Sequence, residues 1–278
     1  MSKVIERLVC QQLVRFLEKR NLLLKSKSPY RRYHSTETAV LKIVSDALLA
    51  AEKGEVTLLG MLDMSAAFDT DDYVILLKRL HMSFGNGKMS ETSSVTYDVA
   101  QGSVLGPIMF LLYTADVTRI VAMHGINLHS YADNSESYLH AKADEIVLAL
   151  PRVASCIDAI DRWMSSDRVK LNSDKTQFIV LDSRPQSPKV KCDSIRLGDL
   201  DIPFMQKVTC LGVILDTELS TVQHLRGLTS RCFYQLRQIR ALRESVIIET
   251  SMLLVHALVN SRLDYCNSIL YGVEEVHL

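Results

Sequence analysis

Val56-Thr57-Leu58-Leu59-Gly60-Met61-Leu62-Asp63-Met64 is the stretch on which the fold turns. It opens on Val and Thr, stays almost continuously apolar, and carries no charge before Asp63. A strand with one wet face alternates apolar and polar residues. An unbroken apolar run predicts instead a strand covered on both faces. The run ends at Asp63, and a carboxylate at the end of an apolar strand is costly unless something cationic meets it.

The flanks of this strand read as helices and further strands. Upstream, Ser35 can cap a helix with Glu37 in its first turn. Val40, Ile43, Val44, Ala47, Leu48 and Ala51 form its apolar face, and Gly54 stops it. Before it lies a basic, irregular stretch from Lys25 to Tyr33, preceded by Ile5, Leu8, Val9, Leu13, Phe16 and Leu17 at helical spacing. Downstream, Pro107 suits the first turn of a helix through Phe110 and Leu112. Asn127 to Leu139 predicts two short strands around Tyr131-Ala132-Asp133-Asn134, where Asp-Asn favours a turn. A helix from about Val153 to Met164 follows, then strands over Thr176–Leu181 and Val208–Leu215. From His224 the pattern is helical, with Leu225, Leu228, Leu236 and Ile239 at helical spacing. Strands and helices mix without strict alternation, which predicts an α+β fold. A break in composition near Thr217 predicts a helical region, 217–278, after a mixed domain over 1–216.

Over 278 residues, 47% are hydrophobic and 23% are charged, a globular balance. Thirty-two basic and 32 acidic residues cancel to a formal charge of zero. That excludes a uniformly basic nucleic-acid protein and leaves room for a local basic patch. Lys3, Glu6 and Arg7 interrupt any apolar leader, and the longest uncharged apolar stretch, Val104 to Thr114, falls short of the roughly 18 residues of a membrane span. A soluble, intracellular chain with no membrane partner is expected, nuclear or cytoplasmic. Six cysteines lie far apart with no CxxC pair, so structural zinc is not expected and free thiols are.

Two aspartates carry the chemistry. Asp63 ends a buried strand and Asp133 sits in the turn between two others, so one sheet can bring them together. Paired carboxylates are how proteins hold two Mg²⁺ ions for phosphoryl or nucleotidyl transfer. Spacing alone leaves the ordinary alternative open, that each is a turn or cap residue. Another two-metal phosphotransferase or nuclease also fits the bare pair.

Four ordered strings weigh on that choice. They are Leu62-Asp63-Met64-Ser65-Ala66-Ala67-Phe68-Asp69, Gln101-Gly102-Ser103-Val104-Leu105-Gly106-Pro107, Tyr131-Ala132-Asp133-Asn134 and Leu171-Asn172-Ser173-Asp174-Lys175-Thr176. Ser28 to Ala39, Leu211 to Asp216 and Ser261 to Ser268 extend the set to nearly the whole chain. Together they resemble the reverse transcriptase of non-LTR retrotransposons of the jockey-like LINE type.

The resemblance implies a right-hand polymerase: partial fingers, a palm on an antiparallel sheet, and a helical, thumb-like C-terminal part. It implies RNA-directed DNA polymerisation with an RNA template, a DNA primer and deoxynucleoside triphosphates, and Mg²⁺ (or Mn²⁺) as cofactor. Asp63 and Asp133 carry over as catalytic metal ligands and Lys175 as the lysine that protonates leaving pyrophosphate. Arg31 carries over as a triphosphate contact, Phe68 as the block against a 2′-hydroxyl, and Gln101 with Gly102 as support for template and incoming base. Each has an ordinary reading as well: a loop charge for Arg31, a core ring for Phe68, a loop-to-helix turn for Gln101–Gly102, a surface charge for Lys175. Arg226, Arg231, Arg237, Arg240 and Arg243 fall in a stretch without an acid between Glu218 and Glu244. Helical spacing gathers several on one side, a footprint for a nucleic-acid backbone or a plain solvated face; the thumb resemblance favours the backbone.

The chain departs from the family in four places. Asn134 stands where a second hairpin aspartate, a metal ligand, belongs. Tyr97-Asp98-Val99-Ala100 precedes Gln101 where the family has glycine-valine-proline, and Arg32-Tyr33 replace a proline-glycine pair. Between Leu80 and Val95 most of a helix and strand of the fingers–palm junction is missing, a contraction near 85–95. The endonuclease domain and the N-terminal part of the fingers are not found either. Impaired catalysis is expected, and the alternative is an inactive nucleic-acid-binding or scaffold remnant.

Overall fold

The computed structural model describes residues 2–20, 34–65, 103–131, 134–166, 170–172, 175–182, 190 and 192–271; at 2, 63–65, 113, 170 and 171 it describes the backbone. In chain order the elements are α1 (Ser2–Lys19), α2 (Thr36–Glu52), β1 (Val56–Ser65), α3 (Gly106–Tyr113), α4 (Ala115–Met123), β2 (Asn127–Tyr131) and β3 (Asn134–Ala141). Then come α5 (Ile146–Ser166), β4 (Lys170–Leu171), β5 (Gln177–Leu181), β6 (Ser194–Leu197), β7 (Leu200–Pro203), β8 (Lys207–Cys210), β9 (Val213–Asp216), α6 (Val222–Leu242) and α7 (Ile248–Val255). Helices and antiparallel strands mix as an α+β fold.

β1 is the spine of a five-stranded antiparallel sheet. β3 pairs with it from Val56↔Ala141 to Asp63↔Asn134, and β5 pairs on the other side from Thr57↔Leu181 to Met61↔Gln177. β2 lies outside β3, while β4 takes up Met64 and Ser65. The strand therefore runs two residues past Asp63, the expected end, because β4 supplies partners there.

The unbroken apolar run is explained by two cores. On one face Leu58, Leu62, Phe110, Val121, Leu139, Ile160 and Phe178 pack among α3, α4 and α5. On the other, Leu59, Tyr138 and Ile179 meet Val40 and Ile43 of α2 and Val208, Cys210 and Val213 of the β8–β9 hairpin. Cys266 and Ile269, from the end of the chain, join this second core. Gly60 has no room for a side chain, since a Cβ would sit 2.6 Å from Phe178 Cε1 and 3.0 Å from Ser137 Oγ.

Local signals account for most boundaries. Ser35 caps α2 by accepting from Thr38 N–H at 3.2 Å, and Thr38 Oγ1 returns a bond from Ser35 N–H at 2.8 Å. Leu48, expected inside, is 42% exposed, and Ala39 and Ala50 are buried on that face instead. α5 begins at Ile146, well before the expected Val153. Pro151 lies in its second turn and forfeits a helical bond, but burial of Ile146 and Ala149 outweighs that loss.

Val208–Leu215, expected as one strand, is a hairpin. Leu211 (φ 47°) and Gly212 (φ 84°) form a two-residue turn between Cys210↔Val213, and positive φ at both central positions suits the strand twist. A second such hairpin, β6–β7, turns at Gly198-Asp199 and was not expected from the sequence.

The stretch Gly106–Met123 is long and apolar enough, by length and composition, to cross a bilayer. It runs as two helices, with Ile108, Phe110, Leu111, Val117 and Val121 buried among other elements. All six cysteines are free, and Cys156, Cys210, Cys232 and Cys266 are buried.

Candidate functional site

Side chains alternate across a strand, so β1 residues 57, 59, 61 and 63 share one face of the sheet. Their β3 partners His140, Tyr138, Glu136 and Asn134 share it too, as do Gln177, Ile179 and Leu181 of β5. At the Asp63 end a cleft of about 320 Å³ opens, lined by Met61, Leu62, Asn134, Ser135, Glu136, Lys175, Gln177 and Thr209.

The backbone ladder sets Asp63 directly opposite Asn134. β2 and β3 close at Tyr131↔Asn134, which leaves a two-residue connection, Ala132-Asp133, between them. Asp133 lies outside the described residues, as do Arg31, Phe68, Gln101 and Gly102, the Arg32-Tyr33 and 97–100 departures and the 80–95 contraction. Lys175 is exposed at the mouth of the same cleft as Asn134. A turn holds it there, in which Lys175 N–H and Thr176 Oγ1 both donate to Asn172 O, at 3.2 and 2.9 Å.

One cleft residue was missed by sequence reasoning. Glu136 is fully buried, and Cys210 Sγ donates to its Oε1 at 3.9 Å. Burial, and then the Glu136 charge, push the Cys210 thiol far up. The signal was available, since a residue two past Asn134 on a strand shares its face. Opposite Glu136 on β2 is His129, whose pKa is lowered by burial and then by the charges of His34 and Lys42. Among the described residues no three His, Cys, Asp or Glu side chains gather into a metal cage. The described cleft offers the Glu136 carboxylate and the Asn134 and Gln177 amides, oxygens of the kind a hard divalent cation takes, with the Lys175 ammonium beside them.

Further along the same face, Tyr138 Oη donates to Asp46 Oδ2 at 2.6 Å, and Lys42 Nζ reaches Asp46 Oδ1 at 2.5 Å. Burial raises the Asp46 carboxyl, but these hydrogen bonds outweigh it and hold the carboxyl below its ordinary value. The pair ties α2 across the sheet to β3.

The α6 arginines divide. At about 100° per residue, Arg226, Arg237 and Arg240 form one exposed stripe with Ser230 and Phe233, opposite the buried His224, Leu228, Cys232 and Ile239. Arg231 falls about 140° round the helix from Arg226. It lines a different cavity of about 230 Å³ with Gly212, His224, Leu228, Ser261, Arg262 and Tyr265. Three of the helix's four arginines thus share one side, and Arg231 stands apart because five residues are not a whole number of helical turns.

Residues 1–215 match the family described as reverse transcriptase (RNA-dependent DNA polymerase). The chain is similar to the RNA-directed DNA polymerase from mobile element jockey of Drosophila melanogaster, at 24% identity over 82% of this chain and 27% of that protein. It is similar also to the probable RNA-directed DNA polymerase from transposon BS of the same fly, at 26% over 86% of this chain and 29% of that one. It thus spans less than a third of the length of these curated relatives. Among solved structures it is similar to apo telomerase from Candida tropicalis truncated from its C-terminal domain, with a TM-score of 0.45 and 17% identity over 77% of this chain and 45% of that one. Telomerase from Candida albicans in complex with a fragment of telomeric RNA has a TM-score of 0.44 and 16% identity over 95% and 47%.

Proposed function

This chain belongs to the reverse transcriptase (RNA-dependent DNA polymerase) family, in its non-LTR, jockey-like branch, and on that premise we propose a templated nucleotidyl-transfer site at the Asp63 end of β1. The observation that carries the proposal is the register Asp63↔Asn134, which sets the one charged residue of a buried strand against the neighbour of Asp133. In this reading Asp63 and Asp133 hold divalent metal, Mg²⁺ or Mn²⁺, with Asn134 offering an amide oxygen. Bound there, the metal would lower the pKa of a primer 3′-hydroxyl and neutralise charge on the transferring phosphate. Lys175, exposed at the cleft mouth, gives a proton to leaving pyrophosphate in this reading. Arg31 holds the triphosphate, Phe68 rejects a 2′-hydroxyl, and Gln101 with Gly102 supports the RNA template and incoming base. Residues 1–216 form the palm with partial fingers, and 217–278 the thumb-like part.

The same reading makes catalysis weak. A contracted fingers–palm junction between Leu80 and Val95 leaves template support incomplete, and misplacement of reacting groups by about 1 Å already costs roughly 10²-fold. Primer extension on an RNA template with Mg²⁺ tests the proposal. Weak extension abolished by Asp63→Asn is expected, and extension unaffected by that change would overturn the site.

A second reading, a nucleic-acid-binding remnant without catalysis, is favoured by α6, whose 21 residues contain four arginines and no acid. Salt-dependent binding to a primer–template with no incorporation would select it.

A further inference from the structure

We propose that the cavity of about 230 Å³ between α6 and residues 261–265 binds a single phosphate group, at a site separate from the proposed metal cleft. Three stretches far apart in the chain wall it: the β8–β9 turn, the first half of α6, and Ser261 to Tyr265. Tyr265 Oη donates to Leu211 O at 2.7 Å, and a Cβ on Gly212 would lie 3.2 Å from the Tyr265 ring. Ser261 Oγ donates to Ala257 O at 2.5 Å. Both hydroxyl protons are therefore committed to shaping the wall.

Three donor groups remain, His224, Arg231 and Arg262. His224, Leu228 and Arg231 stand at i, i+4 and i+7 and share one face of α6. Helical side chains lean toward the N-terminus, so the long Arg231 side chain reaches back past Leu228 toward His224. Burial lowers the His224 pKa, and the Arg231 charge lowers it further, which sets that guanidinium near the ring. Ile214 N–H donates to His224 Nδ1 at 3.2 Å. A backbone N–H only donates, so the imidazole is neutral and carries its proton on Nε2. His224 is 2% exposed, yet among the described residues its Nε2–H has no hydrogen-bond partner. That N–H is not sealed in the core, because the ring lines this cavity.

No carboxylate lines the cavity, and among the described residues neither guanidinium is paired with one. Two cations facing one concave space focus a positive field, and an anion relieves their repulsion. Donors come from the helix on one side and from Arg262 on the other. A tetrahedral phosphate offers oxygens to both sides, and guanidinium forks match them. The cavity takes one group and lies off the exposed arginine stripe of α6, so it does not track a polymer backbone. Its ligand is a phosphate monoester at the end of a strand, or free phosphate.

Calorimetry of the full chain with inorganic phosphate tests the site, with circular dichroism to check the folding of each variant. Arg231 is exposed and Arg262 half-buried, so glutamine at either position leaves the core intact. Arg231→Gln and Arg262→Gln are each expected to weaken phosphate roughly 10- to 100-fold, the range for a lost hydrogen bond to a charged group. Arg119→Gln, which removes the same charge from α4, is expected to change nothing. Fluorescence anisotropy with a short oligonucleotide, 5′-phosphorylated or 5′-hydroxyl, separates the two sources. Tighter binding of the phosphorylated strand, lost in Arg262→Gln, assigns the end of a strand. Equal binding of the two strands, with inorganic phosphate still bound, assigns free phosphate. Binding of neither inorganic phosphate nor, in preference, the phosphorylated strand would overturn the site. So would affinity indifferent to both Arg231→Gln and Arg262→Gln, or weakened equally by Arg119→Gln.

Discussion

Asp63 and Asn134 are directly opposed Cα partners at the end of the β1–β3 ladder, and the ladder continues one face inward through Met61↔Glu136 to Leu59↔Tyr138. In the rows that follow, Glu136, Leu59 and Tyr138 are buried and Met61 is half-buried. Opposed residues in an antiparallel pair lie about 4.5–5.5 Å apart, so Asp63 and Asn134 adjoin at the backbone.

Restoring the missing acid is expected to achieve little alone. Asn134→Asp returns a carboxylate, and losses at charge-stabilising groups run to roughly 2.7–4 kcal/mol, so a rescue would be plainly measurable. The contraction between Leu80 and Val95 is untouched by that change. Asn134→Asp should therefore stay near background in Mg²⁺-dependent primer extension, and robust extension would show that the amide was the limiting defect.

Gly60→Ala tests the packing of the spine. The new Cβ would come within 2.6 Å of the Phe178 ring and 3.0 Å of Ser137 Oγ. Overpacking of a tight core costs about 1–3 kcal/mol, so thermal unfolding should shift down by several degrees. An unchanged midpoint would mean that Phe178 can move aside freely.

Acid should remove the contribution of the α2–β3 tie. The Asp46 carboxyl is held below its ordinary value of 3.8, so its bonds to Tyr138 and Lys42 stabilise the fold when pH lies above that value. That contribution is lost as pH falls through the lowered folded-state value. Asp46→Asn is therefore expected to be less stable than wild type near neutrality and to converge with it in strong acid. Denaturant unfolding across that range measures the gap, and a gap constant with pH would refute the tie.

The division of the α6 arginines predicts unequal effects on nucleic-acid binding. Alanine at Arg226, Arg237 and Arg240 together should flatten the slope of log affinity against log salt by about 2–3, since each phosphate contact contributes roughly 0.7–0.9. Arg231→Ala, about 140° round the helix, should change it little. Fluorescence anisotropy with a labelled primer–template at several salt concentrations reads both. Equal slopes for the triple variant and wild type would show that this face does not meet the backbone.

Much of the architecture was legible from local chemistry. An apolar run with a carboxylate near its end announced the central strand, Ser35 the cap of α2, Pro107 the first turn of α3, and the Tyr131-to-Asn134 string the place where β2 gives way to β3. These signals act within a few residues, where sterics and hydrogen bonding need no distant partner. The ordered strings carried the family likewise, because they are a property of the chain and not of its packing.

Other features depended on partners far along the chain. β1 passes Asp63 only because Lys170 and Leu171 come to pair with it. Leu48 is exposed and Glu136 buried because of what the rest of the chain lays over α2 and β3. A strand's alternation says which residues share a face, but which face a hairpin such as β8–β9 will cover is decided by long-range burial of apolar surface. Composition and periodicity by themselves determined a mixed fold around a buried apolar strand that carries Asp63 near its end. Only the tertiary structure decided that Asn134, Glu136 and Lys175 line one cleft there, since strands distant in sequence must first pair in register.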